Sequence, residues 1–237
     1  MPKLNRPLVY LFDGDGPLLN SAEPALAALN QVLESFDLKP LDIDTWRERQ
    51  NPNLKRFYES LGVPANDVNE AINRYRAYFD GMKFMVTEPA EVTSALKLLR
   101  SRRIGVVTSM SRKSWEGYSR RFGFDDFIGV AVTRDDCDEQ KPSPVPLYVA
   151  MEKLGIQKKK VRAHEVRGIM VGDSVTDIVA GHAAGLETAA IVYEGSYSNR
   201  ERLLAKQPTY LIPHIGVVAN RMALRGSRQH YEKNNTA

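Results

Sequence analysis

Asp13 and Asp15 stand one glycine apart in Phe12-Asp13-Gly14-Asp15-Gly16. A hydroxyl pair, Thr108-Ser109, ends a later apolar run, Lys141 lies in Lys-Pro-Ser-Pro, and Asp173 follows Val171-Gly172. Gathered in one crevice, these groups would suit phosphoryl transfer, which mainly needs a positioned nucleophile and charge neutralisation around the transferring group. Three clustered carboxylates repel one another without a cation. Their hard oxygen atoms favour magnesium, which keeps several waters and also takes an oxygen from a substrate phosphate. The ion would then orient that phosphate for in-line attack. Asp-Gly-Asp-Gly alone is equally a plain turn sequence, so the chemistry depends on the other groups arriving beside it.

The elements that would bring them together are short apolar runs alternating with helical periods. Residues 8–12 are continuously apolar and stop abruptly at Asp13, which reads as a buried parallel strand ending in a tight loop. Similar runs at 104–108, 128–132, 169–171 and 188–192 predict further strands. Residues 89–102 and 145–154 carry helical spacing, with Val92, Leu96 and Leu99 near one face of the first and Val145, Val149 and Leu154 on the second. The alternation predicts an α/β fold, a doubly wound, Rossmann-like parallel sheet with helices on both faces. Ligands of such sheets bind beyond the carboxyl ends of the strands, where Asp13, Asp15, Thr108, Ser109 and Asp173 fall.

The connection between the first two strands is far longer than one crossover helix needs. It contains helical patterns at 24–36, 54–61 and 68–79, with Pro24 suited to a first helical position. Residues 20–87 therefore read as an all-helical cap domain inserted into a core of residues 1–19 and 88–225. Its exits, near 20–23 and 83–88, are placed where hinge bending would open it over the strand ends. Residues 226–237 are polar and charged and read as a flexible tail.

With 237 residues, 43% hydrophobic and 26% charged, the chain has enough apolar material for one large core with an insertion. No stretch approaches the roughly 20 apolar residues of a membrane span, and residues 1–7 lack the apolar segment of a secretory signal, so a cytoplasmic protein without membrane association is expected. The single cysteine, Cys137, excludes an intramolecular disulfide and a cysteine zinc site. A net charge of +4 favours anionic partners. The densest basic run, Lys158-Lys159-Lys160 with Arg162, has no interleaved aromatic residues, so phosphorylated small molecules are expected and nucleic acid is not.

In order and spacing, Phe12-Asp13-Gly14-Asp15-Gly16, Val107-Thr108-Ser109, Lys141-Pro142-Ser143-Pro144 and Val171-Gly172-Asp173-Ser174-Val175-Thr176-Asp177 resemble the four motifs of the haloacid dehalogenase (HAD) superfamily. Within it the chain is most similar to the phosphoglycolate phosphatase-like and beta-phosphoglucomutase-like branch, whose helical cap follows the first motif. The resemblance implies a magnesium-dependent phosphatase in which Asp13 becomes the phosphoaspartate and Asp15 is the general acid and base. It implies that Thr108 binds the phosphate and that Lys141 neutralises charge on Asp13 and the phosphoryl oxygens. It assigns the magnesium to Asp13, the carbonyl of Asp15 and Asp173, with Asp177 in support. The chain departs from the pattern at Pro17 and Asn20, where relatives commonly have Thr and Asp, and at Ser109, often Asn; Ser109 is expected to reach Asp13 or the phosphate.

Arg47, Arg49 and Lys55 lie where a substrate-specificity loop of the cap would fall and are candidate contacts to an anionic leaving group. The expected substrate class is a small phosphorylated metabolite, and the protein is expected to act as a monomer or homodimer. Other functions compatible with the residues are a phosphomutase using the same phosphoaspartate and a non-catalytic binding module. A dehalogenase attacking carbon would need neither Asp15 nor the metal carboxylates.

Overall fold

A computed structural model describes residues 8–51, 53–100, 102–159 and 166–220. The amino-terminal residues, Lys160 and Arg162 of the basic run, and the expected tail lie outside them. The core is a six-stranded sheet ordered β3-β2-β1-β4-β5-β6. Its strands are β1 (Leu8–Phe12), β2 (Arg103–Val107), β3 (Val130–Val132), β4 (Arg167–Gly172), β5 (Glu187–Ile191) and β6 (Tyr210–Ile212). Every neighbouring pair is parallel. The chain winds outward from β1 to β3, then returns to the other side of β1 with β4, so the strand order reverses between β1 and β4.

All five residues of β1 are buried, and period-two alternation sends them to opposite faces. Tyr10 and Phe12 join a cluster with Leu96, Leu99, Trp115 and Tyr118, whereas Val9 and Leu11 pack with Leu147, Met151, Ala180 and Ala184. Those partners come from helices on the two faces, which is why β1 reads as a continuous apolar run.

Between β1 and β2 lie α1 (Ala22–Glu34), α2 (Ile43–Arg49), α3 (Leu54–Ser60) and α4 (Val68–Gly81). They close a separate cluster around Leu29, Leu33, Trp46, Phe57, Tyr58 and Val68, so the insertion has its own apolar centre. The two linkers meet: Asn20 N–H donates to the Thr87 carbonyl at 2.8 Å.

Several bounds differ from those read in the sequence. Pro24 is the third residue of α1, still inside the first turn, where a backbone N–H has no helical partner to lose. Helix α5 (Val92–Leu99) begins after Pro89 because Glu91 adopts a left-handed conformation at φ 70°. The β3 run is shortened at its start, where Ile128 N–H turns back to the Phe124 carbonyl. The short strand β6 and the helices α2, α6 (Arg112–Phe122), Arg200–Leu204 and Gly216–Ala219 add to the sequence reading. Helix α7 (Val145–Lys153) follows the Lys-Pro-Ser-Pro stretch as expected. Among the described residues no helix is long and apolar enough to cross a membrane.

Candidate active site

Strands β1 and β4 pair in register, Phe12 beside Val171, so the residues just beyond them, Asp13 and Asp173, emerge together where the strand order reverses. Asp13 N–H continues the ladder by donating to the Val171 carbonyl at 2.9 Å, and Gly14 N–H donates to Asp13 Oδ1 at 2.7 Å. Lys141 enters from the loop before α7. Its Nζ is 2.9 Å from Asp13 Oδ2 and 2.7 Å from Asp177 Oδ1. Burial alone would lower the pKa of that ammonium, but the charges of Asp13 and Asp177 raise it, so Lys141 is held as a cation.

Asp177 opens the helix Val175–Ala184 through a capping box. Its Oδ2 accepts from Ser174 N–H at 3.0 Å and from Ser174 Oγ at 2.7 Å. With Oδ1 on Lys141, both oxygens are committed. Asp173 is different: Oδ2 accepts from Tyr197 N–H at 2.7 Å, while Oδ1 is buried without a hydrogen-bond partner. One oxygen each from Asp13, Asp173 and Asp177 lie within 4.8 Å of one another. Burial raises the Asp13 and Asp173 pKa values well above the ordinary range, and the charge of Asp177 pushes both further. Four carboxylates including Asp15 thus face one ammonium, and an orphaned oxygen projects among them. That donor set fits a hard divalent cation.

Glycines let the loops approach this closely. A Cβ on Gly16, whose φ is +83°, would sit 2.2 Å from the Asp173 carboxyl carbon, and one on Gly172 would sit 2.2 Å from that of Asp177. Gly16 therefore could not carry a side chain without displacing Asp173.

Asp15 is half-buried, and its Oδ1 accepts a 2.5 Å hydrogen bond from Ser21 Oγ. Burial raises its pKa, against the lowering effects of the Ser21 hydrogen bond and the Lys141 charge. A carboxyl biased towards its protonated form suits a general acid. Ser21 occupies the N-cap position of α1 yet makes no side-chain capping bond; its hydroxyl goes to Asp15 instead.

Thr108, buried beyond β2, is tied to the sheet by its N–H donating to the Val132 carbonyl at 2.9 Å, and its Oγ1 accepts from Met110 N–H at 3.2 Å. It packs against Gly14: a Cβ there would lie 3.1 Å from Thr108 Oγ1. Ser109, the next residue, is exposed. The geometry thus gathers Asp13, Asp15, Thr108, Lys141, Asp173 and Asp177 around the end of β1.

The three cap cations are placed otherwise. Arg47 Nε donates to the Ser196 carbonyl at 2.9 Å, another of its nitrogens donates to the Glu194 carbonyl, and a third pairs with Asp44 at 3.3 Å. Its guanidinium fastens the cap to a core loop. Lys55 is exposed 3.9 Å from Glu59, and Arg49 is exposed. Among the described residues none of the three forms an ion pair with the site carboxylates. Sequence reasoning missed Ser21 and Tyr197. A serine before a helix reads as an N-cap, which conceals its bond to Asp15, and Tyr197 carries no local signal.

Known proteins resemble this chain over most of its length. The model of the haloacid dehalogenase-like hydrolases matches residues 10–191. The pyrophosphatase PpaX of Bacillus pumilus is 30% identical over 205 residues, spanning 85% of this chain and 90% of that protein. PpaX of Halalkalibacterium halodurans is 31% identical over 186 residues, 77% and 82% of the two chains. Among solved structures, a putative phosphoglycolate phosphatase from Lactobacillus plantarum superposes with a TM-score of 0.76 at 21% identity, covering 90% of this chain and 97% of that one. A putative beta-phosphoglucomutase from Thermotoga maritima gives 0.64 at 21% identity over 90% and 97%. These two likenesses concern the fold.

Proposed function

Because the chain belongs to the haloacid dehalogenase-like hydrolases, we propose that it is a magnesium-dependent phosphatase that hydrolyses a small phosphomonoester through an aspartyl-phosphate on Asp13. The observation that carries the reading is the Lys141 ammonium between Asp13 and Asp177, beside the unpartnered Oδ1 of Asp173. A buried nucleophilic carboxylate, a fixed cation and an open oxygen acceptor are the parts an in-line phosphoryl transfer requires. The names of the PpaX relatives and of the phosphoglycolate phosphatase-like neighbour support phosphate chemistry.

In this reading a carboxylate oxygen of Asp13 attacks phosphorus while the bond to the leaving oxygen breaks, and Asp15 gives that oxygen its proton. Asp15, now a carboxylate, takes a proton from water as that water attacks the phosphoaspartate, which releases phosphate and restores both groups. Thr108 hydrogen-bonds a phosphoryl oxygen at the mouth of β2. Lys141 favours the ionised form of Asp13 against the effect of burial and meets charge developing on the phosphoryl group. Asp13, the Asp15 carbonyl and Asp173 would hold magnesium, with Asp177 acting through Lys141; the ion would supply positive charge and orientation for the phosphate. The cap, taken as residues 20–87, would cover the site and exclude bulk water, and Ser109, exposed beside Thr108, would be within reach of a bound phosphate ester.

The test is phosphate release from a panel that includes p-nitrophenyl phosphate, alkyl and sugar phosphates, phosphoglycolate and inorganic pyrophosphate, with magnesium or EDTA. Release that needs magnesium and disappears in Asp13→Asn supports the reading. Absence of release from every member overturns it, and isomerisation of a sugar phosphate without free phosphate replaces it with a phosphomutase.

A further inference from the structure

Tyr197 touches the candidate site at two points and the cap at a third. Its backbone N–H donates to Asp173 Oδ2 at 2.7 Å, its hydroxyl is 3.0 Å from Ser21 Oγ, and its ring lies 5.1 Å, centroid to centroid, from that of Trp46 on α2. The loop carrying it is pinned from both sides. Ser198 N–H donates to the Asp173 carbonyl at 3.2 Å, Ser196 Oγ accepts from Tyr193 N–H at 2.9 Å, and Arg47 of the cap binds the Ser196 carbonyl.

The direction of the hydroxyl chain follows from proton counting. Ser21 has one hydroxyl hydrogen, and it is donated to Asp15 Oδ1. Tyr197 must then be the donor to Ser21 Oγ. With Oδ1 of Asp15 accepting from Ser21, the transferable proton belongs on Oδ2, the oxygen that Ser21 leaves free.

Resting on the phosphatase reading above, we propose that Tyr197 is a positioning residue: by donating to Ser21, it fixes the serine hydroxyl on Oδ1 of Asp15 and so presents the acid proton on Oδ2 to the leaving oxygen. Ser21 makes no capping bond to α1, as expected of a hydroxyl held for another purpose. The Tyr197 N–H on Asp173 and the Trp46 ring keep the phenol from swinging away.

The readout is dependence on the leaving group. A p-nitrophenolate departs without being protonated, whereas an alkoxide needs the acid. In Tyr197→Phe, kcat/KM for the best alkyl phosphomonoester of the panel is expected to fall about tenfold, with that for p-nitrophenyl phosphate staying within about twofold, since general acid catalysis acts on one leaving group and not the other. Ser21→Ala should show the same selectivity. The double variant should be no worse than the more impaired single, because both changes break one chain. Equal losses on the two substrates, no loss on either, or additive losses in the double variant would overturn the proposal. A merely structural defect would lower both substrates together. Failure of the wild-type protein to release phosphate from either substrate overturns the phosphatase reading and this proposal with it, a result distinct from the others.

Discussion

The Lys141 ammonium lies 2.9 Å from Asp13 at the end of β1 and 2.7 Å from Asp177 at the start of the helix Val175–Ala184, joining a strand end and a helix start through one buried cation. Removing it leaves both carboxylates buried without their counter-charge. Lys141→Ala is expected to lose about 3–5 kcal/mol of stability at neutral pH in EDTA, the usual cost of breaking a buried pair from one side. Urea unfolding would measure this, and part of the loss should be regained on acidification, which neutralises the stranded Asp13 carboxylate.

Asp173 offers the opposite case. Its Oδ1 has no partner, and its pKa is raised by burial and by the charge of Asp177. Without a metal the carboxylate is a liability. Asp173→Asn is therefore expected to leave the metal-free protein as stable or about 1 kcal/mol more stable, by relief of like-charge repulsion. The same variant should lose the rise in melting temperature expected of the wild type in millimolar magnesium, should the ion bind preferentially to the folded state. A melting curve with and without magnesium reads both effects, and an unchanged magnesium shift in Asp173→Asn would remove Asp173 from the metal site.

Asp136, on the same loop as Lys141 but bonded to Thr133, Arg112 and Lys153 instead of the site carboxylates, governs a separate acid sensitivity. Burial would raise its pKa, but hydrogen bonds from Thr133 N–H and Oγ1 at 2.7 Å, with Lys153 and Arg112, hold it well below the ordinary range. A depressed folded pKa means that the unfolded chain takes up the proton first. The stabilisation is complete above the unfolded pKa and is lost as pH falls towards the folded one. Asp136→Asn should cost about 1–2 kcal/mol at neutral pH, less than the pKa direction alone suggests because Arg112 and Lys153 are partly solvated. The difference from wild type should begin to narrow below about pH 4 and close only near the folded value, which urea titrations across the acid range would show.

Arg202 acts on the cap from the core. It donates to the carbonyls of Arg47, Glu48 and Gln50 at the carboxyl end of α2, where helical partners run out. Arg202→Ala is expected to cost about 1 kcal/mol or less globally. The clearer effect should be local: faster amide hydrogen exchange in residues 44–50, with β1 and β4 unaffected.

The core was legible where the chain is apolar on both faces. The ends of β1, β4 and β5 fall within two residues of their expected places because burial by helices on either side imposes continuous apolar runs. Tyr210–Ile212 went unread because three residues at a sheet edge carry too little pattern. The candidate groups Asp13, Asp15, Thr108 and Asp173 were legible because strand ends deliver them directly from sequence order. Arg47 was not: nothing local distinguishes a guanidinium aimed at substrate from one aimed at carbonyls 147 and 149 positions away. Long-range partners of this kind, like Tyr197 on Ser21, exist only once the cap is seated on the core.

The hydrogen bond from Asn20 to Thr87 has a meaning for how such a chain diversifies. An excursion that leaves and rejoins the sheet at one seam places no tension on the strands, however many residues it contains, since the core experiences only the spacing of its two ends. Closing a longer loop costs little more than closing a short one. Cap helices can thus be lengthened, shortened or exchanged as a cassette while β1 and β2 stay in register. The carboxylate cluster at the strand ends and the inserted helices are free to change at different rates.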